Sequence, residues 1–504
     1  MNIRQLTGLV LGLTGFLILV LIPSVGGMAP LAQKMAGIVI LMACFWIGEV
    51  IPIEATSLFP LIGLPLFGIA SSREAAAPYA DHIIFLFLGG FLIATAMRKC
   101  NLHQRIALHL TRRVGTSPRR LVLGFMIATA FLSMWISNTA TTIMMFPIGL
   151  AVISRLLEEE KDSHPHQKNF APALMLGIAY AASVGGVATL IGTPPNAIFA
   201  GSIKKLFPAA GEISFSQWFF IGLPLALILI PLIWLFLVRF ALPVPRGDSR
   251  AGREIIEKEL KKLGPWSRAE KVVFIIFITT AFLWAFRRPI EIGPLRIPGW
   301  SSLLPHPKMI HDSTVAIFMS FLLFLIPVDW KKREFALNWE WAVKIPWGVL
   351  ILLGGGFSLA RGVQSSGLAH WLGNSLSGFQ GIHPVFLVLA ICLMMTFLTE
   401  VTSNSATSTL MMPVLASLSL GLRVHPLLLM IPATISASCA FMLPVATPPN
   451  AIVFGSGYIT IPQMARVGLA LNLAGALFIT LLTFALICPI FGISPSVLPP
   501  WAQN

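Results

Sequence analysis

Charge is scarce in this chain: only 11% of its 504 residues are Asp, Glu, Lys or Arg, while 56% are hydrophobic. Soluble domains carry roughly 25% charged residues, so a sizeable water-soluble domain is excluded and the chain belongs in lipid. Cysteine patterning is also missing. Cys44, Cys100, Cys392, Cys439 and Cys488 lie in or beside apolar segments at no metal-ligand spacing, which reads as buried free thiols. The ten histidines form no His-x-x-x-His pair in an apolar stretch, and His306, His311, His370, His383 and His425 fall at segment ends or loops. A membrane enzyme needs a nucleophile with a base, or a metal cluster, inside the bilayer; neither is visible. Buried acid pairs and His–acid relays are absent too, which favours sodium coupling or exchange over proton coupling.

What is present is apolar sequence in long runs. Stretches of roughly 20 residues, enough to cross a bilayer, fall near 6–23, 31–49, 52–70, 82–110, 171–203, 216–241, 271–287, 312–328, 345–372, 427–457 and 462–489, eleven candidate spans in all. The first, after Arg4, is read as a retained helix rather than a signal peptide cleaved near Gly27–Ala29. Two further apolar regions, 121–155 and 384–420, are each split by a polar cluster, Ser137-Asn138-Thr139-Ala140-Thr141-Thr142 and Thr402-Ser403-Asn404-Ser405-Ala406-Thr407. Their arms, at about 15 residues or ~23 Å of helix, are shorter than the hydrocarbon core. They are predicted to be re-entrant hairpins.

Lys and Arg total 35 against 20 acidic residues. They cluster between apolar segments, so the excess reads as positive-inside loops rather than a nucleic-acid surface. Arg98, Lys99, Arg105, Arg112, Arg113, Arg119 and Arg120 precede the first hairpin, and Arg155, Glu158-Glu159-Glu160-Lys161-Asp162 and Lys168 follow it. Putting these loops in the cytoplasm places the N-terminus inside, the C-terminus outside and the mixed-charge linker 242–270 in the cytoplasm. Arg361 is left within a helix.

The chain also repeats itself. FLFLGGFLIATAMR (85–98) resembles LILLGGGFSLARGV (350–363), SNTATTIMMFP (137–147) resembles SNSATSTLMMP (403–413), and GTPPNAI (192–198) resembles ATPPNAI (446–452), in the same order. Five crossings separate the 82–110 span from the 345–372 span, an odd number, so the second copy is inverted. Inverted repeats with paired interrupted segments point to a secondary transporter with its site at the interruptions. Each Thr-Pro-Pro-Asn must break its helix, and such breaks persist in lipid only where they are buried or line a cavity. The break offers carbonyls to cations and free N–H groups to anions. Asn at each hairpin tip offers both an acceptor and donors. Together these elements suit an anion with hard monovalent cations. A channel whose broken helices bind only ions is the competing reading, and anion-dependent uptake separates the two. Glu49, Glu54 and Asp81 sit at span boundaries. Glu400, near the second tip, is either a hydrogen-bonded structural carboxylate or a proton carrier.

On these motifs, and on PIEATSLFPL at 52–61, the chain resembles the divalent anion:sodium symporter family over nearly its whole length. The resemblance implies a carrier of C4-dicarboxylates such as succinate, malate and fumarate by sodium symport, with exchange of dicarboxylate and 2-oxoglutarate, or carriage of citrate or sulfate, as alternatives. It implies an all-α polytopic homodimer in the bacterial inner membrane, each protomer with an elevator-type scaffold and transport domain. The segments are then 1–81 (scaffold), 82–241 (first repeat), 242–270 (linker), 271–344 (second-repeat scaffold helices) and 345–504 (second-repeat transport elements). Carried over by motif, Asn138, Thr139, Asn404 and Ser405 hold the substrate carboxylates, helped by Thr193, Thr447 and Pro448. One sodium ion lies near Ser133, Ser137, Asn138 and the Gly192 carbonyl, a second near Thr399, Thr402, Asn404 and the Ala446 carbonyl.

Overall fold

The computed structural model describes all residues except 23–26, 116, 160–168, 246–249, 293–294, 376–377, 379–380 and 504. Part of the charged loop after the first hairpin, including Glu160, Lys161, Asp162 and Lys168, lies outside the described residues. The chain is a polytopic, almost wholly helical membrane protein. The described strands are two short antiparallel pairs, Ile290–Ile292 with Leu295–Ile297 and Pro327–Asp329 with Glu334–Phe335.

Among the described residues nine helices are long and apolar enough to cross a membrane, three of them arms of the two hairpins. The eleven sequence-predicted spans differ from this because several are assembled from two helices. The 52–70 stretch breaks into Ile53–Thr56 and Pro60–Leu66. The 82–110 stretch ends as a span at Lys99, where Asn101 turns left-handed (φ 59°) and starts a basic amphipathic helix, Leu102–Val114. Asn tolerates that conformation at little cost.

The hairpins pair Pro118–Ser133 with Asn138–Glu159 and Pro384–Val401 with Asn404–Leu422. Their arms run to 16, 22, 18 and 19 residues, longer than the sequence suggested. In the first hairpin helix continues past the apolar run into the charged flanks, and in neither hairpin does arm length by itself distinguish the arms from spanning helices. What marks each pair is the reversal at its polar tip and packing of both arms on one broken helix.

Those broken helices form the core. Phe170–Val187 and Pro426–Ala437 are buried at every position, while Ile3–Leu21 buries only Gly8, Gly12 and Leu19. A helix apolar all round is either core or lipid-facing, and the two kinds are both present. The Tyr180 hydroxyl donates to the Phe441 carbonyl at 2.9 Å, tying one broken segment to the other. The second glycine run serves close approach: methyls on Gly355 and Gly356 would collide with Ser57 and with Thr409 of the second hairpin. All five cysteines are free.

Candidate functional site

Each broken helix stops after its buried first half and resumes at a proline. Thr193 and Thr447 cap the second halves, Pro194–Leu206 and Pro448–Phe454, in near-identical extended conformations (φ/ψ −144°/142° and −141°/149°). Proline fits the first helical position because no intrahelical partner is lost there. The released carbonyls are gathered by the asparagine of the same motif. Asn196 Nδ2 donates to Gly186, Val187 and Thr189 carbonyls at 3.2, 3.3 and 2.7 Å. Asn450 Nδ2 donates to Ala440 and Leu443 carbonyls at 3.1 and 3.0 Å. The sequence reading gave these two asparagines no role, although their presence in both copies was visible.

The hairpin tips are built alike in the two halves. Ser133 Oγ lies 2.6 Å from Asn138 Oδ1 and 2.7 Å from the Ala182 carbonyl. Thr399 Oγ1 lies 2.5 Å from Asn404 Oδ1 and 3.1 Å from the Ala437 carbonyl. One hydroxyl proton faces two acceptors in each case, so each cluster holds more oxygen lone pairs than protons. That imbalance suits a cation. Gly186 lies against the first tip: a methyl there would collide with the Asn138 amide.

The halves differ in charge at one position of the tips. Glu400, in the second hairpin, accepts from the backbone N–H groups of Phe441, Met442 and Leu443 at 2.8, 2.9 and 3.0 Å and from Asn472 Nδ2 at 2.7 Å. All four contacts are donors, the surroundings of a carboxylate that holds an unwound segment in shape. In the first half the Met134 carbonyl accepts from the Thr189 hydroxyl instead. Arg361 pairs at 3.3 Å with Glu74, both side chains largely exposed.

A cavity of about 970 Å³ opens between the halves. Asn138, Thr139, Thr193, Asn404, Ser405, Thr447 and Pro448 all line it, as do Ser137, Gly192, Thr402 and Ala446. Ser133 and Thr399 stand behind Asn138 and Asn404. Helices of 22, 19 and 13 residues begin at Asn138, Asn404 and Pro194, so three helix N-termini border one space, an arrangement that favours an anion. Arg98, Lys344, Arg4, Glu49 and Glu54 add charge to the cavity lining. Arg4 donates to the Ile47 carbonyl and to the Val401 carbonyl beside the second tip, at 2.7 and 3.1 Å.

The family described as "Sodium:sulfate symporter transmembrane region" matches residues 4–492. The chain is 45% identical over 495 residues to the sodium-dependent dicarboxylate transporter SdcS of Staphylococcus saprophyticus, covering 98% of this chain and 93% of that one. It is 43% identical over 492 residues to SdcS of Staphylococcus aureus, covering 97% and 92%. Its fold is similar to solved structures of the Alcanivorax borkumensis YdaH transporter (TM-score 0.60, 15% identity, 97% of this chain and 100% of that one) and of Neisseria gonorrhoeae MtrF (TM-score 0.57, 12% identity, 97% and 98%).

Proposed function

The chain belongs to the sodium:sulfate symporter family, the divalent anion:sodium symporters, and from that premise we propose that it carries C4-dicarboxylates such as succinate, malate and fumarate by sodium symport. It is a transporter rather than an enzyme. The names of its relatives, sodium-dependent dicarboxylate transporters at 43–45% identity over nearly the full length, support the substrate and the ion. The observation that carries the reading is the convergence of both hairpin tips and both Thr-Pro-Pro breaks on one cavity.

In this reading the substrate carboxylates lie between Asn138 and Thr139 on one tip and Asn404 and Ser405 on the other, with Thr193, Thr447 and Pro448 closing the space. One sodium ion sits among Ser133, Ser137, Asn138 and the Gly192 carbonyl, the other among Thr399, Thr402, Asn404 and the Ala446 carbonyl. The surplus of lone pairs beside each tip asparagine supports both. Ser405 keeps a hydroxyl while leaving room that a threonine methyl would fill. Ser405→Thr is therefore expected to shift the ratio of succinate to bulkier dicarboxylate uptake without abolishing transport; an unchanged profile would remove the position from selectivity.

The repeats are inverted, the N-terminus is cytoplasmic and the C-terminus lies outside, in a bacterial inner membrane. Ion pairs support the parity. Lys99 meets Glu334 and Arg105 meets Glu270, each joining segments that the crossing count puts on the same side. The protein works as a homodimer of elevators, with 1–81 and 271–344 as scaffold and the hairpins and broken helices as the moving part. Purified protein in proteoliposomes tests the function. Uptake of labelled succinate driven by an inward sodium gradient, without internal substrate, is expected. Uptake only after preloading with dicarboxylate would make the protein an exchanger, and citrate or sulfate uptake in place of succinate would move the substrate.

A further inference from the structure

Far along the chain from the hairpin tips, three side chains from three segments meet. His82 opens the helix His82–Lys99, His311 precedes the helix Asp312–Leu325, and Glu212 lies in the connection between the first broken helix and Phe215–Phe236. The two imidazole rings stack at 4.7 Å and 11°. His82 Nε2 is 3.3 Å from Glu212 Oε1, and His311 Nδ1 is 2.9 Å from Glu212 Oε2. One ligand atom from each lies within 4.8 Å of the others. Metal–ligand bonds of about 2.1 Å in a tetrahedral zinc site put ligand atoms about 3.4 Å apart, so small side-chain shifts bring this triad to coordination distance. All three side chains are partly open to solvent.

The place already holds a cation of the protein's own. Lys204 Nζ is 2.6 Å from Glu212 Oε1 and 3.1 Å from His82 Nε2. The two carboxylate oxygens of Glu212 thus face different partners, Oε1 towards Lys204 and His82 and Oε2 towards His311. Arg288 approaches Glu212 at 3.4 Å, while Asp81, paired with Lys205 at 2.6 Å, leaves a second carboxylate 3.9 Å from His82 Nε2.

We propose that His82, Glu212 and His311 form a site for a zinc-like divalent transition metal, which enters by displacing the Lys204 ammonium and acts as a brake on transport. Two imidazoles and one carboxylate are a zinc ligand set that leaves a fourth position for water. The braking action rests on the elevator reading given above. His311 belongs to the scaffold segment 271–344, and His82 heads a helix packed on it, with Gly89 against Ala316. Glu212 is carried by the connection from the first broken helix. A metal shared among them fastens the moving part to the scaffold.

Isothermal calorimetry with zinc chloride on the purified, substrate-free protein tests the site independently of transport. One zinc ion per chain is expected. His82→Ala and His311→Ala should each weaken binding by more than the roughly 10- to 100-fold that loss of an outer-shell partner costs, and Lys204→Gln should tighten it. Absence of binding, or binding indifferent to all three substitutions, overturns the site. In proteoliposomes, zinc on the Glu212 side should slow uptake by the unaltered protein and not by His82→Ala. Calorimetric binding with unslowed uptake overturns the brake. Failure to take up any C4-dicarboxylate would count against the transport reading alone, since the calorimetry does not depend on it.

Discussion

Asn138 and Asn404 each present an amide oxygen to a hydroxyl and begin a helix at the cavity, so in the proposed site each serves cation and anion at once. Asn138→Ala and Asn404→Ala are expected to abolish uptake in proteoliposomes while leaving the amount and monodispersity of the purified protein unchanged; full activity in either would remove the site. Gly186 gives a subtler test. Gly186→Ala places a methyl against the Asn138 amide, and should reduce uptake mainly by raising the sodium concentration needed for half-maximal rate. An unaltered sodium dependence would show that the first tip tolerates displacement. The tip asparagines were legible in the sequence because they recur inside matching polar clusters. The roles of Asn196 and Asn450 were not, and Glu400 was legible only as one of two alternatives, a hydrogen-bonded structural carboxylate or a proton carrier, with its partners unseen. Each depends on which backbone groups lie within 3.3 Å, and periodicity and motif spacing carry no such information.

At the scale of the element, a helix interrupted in lipid stands or falls on what satisfies its released carbonyls. Asn196 gathers three with its two N–H groups, one of them shared, and Asn450 gathers two with its own. At about 1 kcal/mol net per hydrogen bond and two N–H groups per amide, Asn196→Ala and Asn450→Ala should each destabilise the protein by ~2 kcal/mol. The check is thermal unfolding of the purified variants, in which both should melt below the unaltered protein; equal melting of both with the unaltered protein would mean that water replaces the amides. That each helix breaks at Thr-Pro-Pro was readable from proline chemistry. The true length of the hairpin arms was not, because helix runs on where hydrophobicity stops: Asn138–Glu159 carries its last turns into charged sequence. The end of the 82–110 span was missed for a related reason. The amphipathic helix Leu102–Val114 is apolar on one face, which a count of apolar residues takes for a crossing.

For the whole molecule, the repeated motifs and the apolar runs together were enough to read a polytopic helical transporter, since a membrane leaves few ways to satisfy a backbone. What stayed hidden was how the halves depart from equivalence. Met134 faces the first unwound segment with a backbone carbonyl, whereas Glu400 faces the second with a side-chain carboxylate whose partners, three peptide N–H groups and Asn472, are all neutral. This has an electrical consequence. On the elevator reading proposed above, an ionised Glu400 carries a formal negative charge with the second hairpin, so that a swing of that half displaces charge across the membrane even when the carrier is empty. A full traverse of the bilayer by one charge is worth about 2.3 kcal/mol per 100 mV, and a partial traverse is worth proportionally less. Substrate-free protein on a solid-supported membrane should give a transient capacitive current on a step in potential, and Glu400→Gln should shrink it. On that reading the resting potential of the cell biases the return of the empty carrier, and not only its loaded stroke.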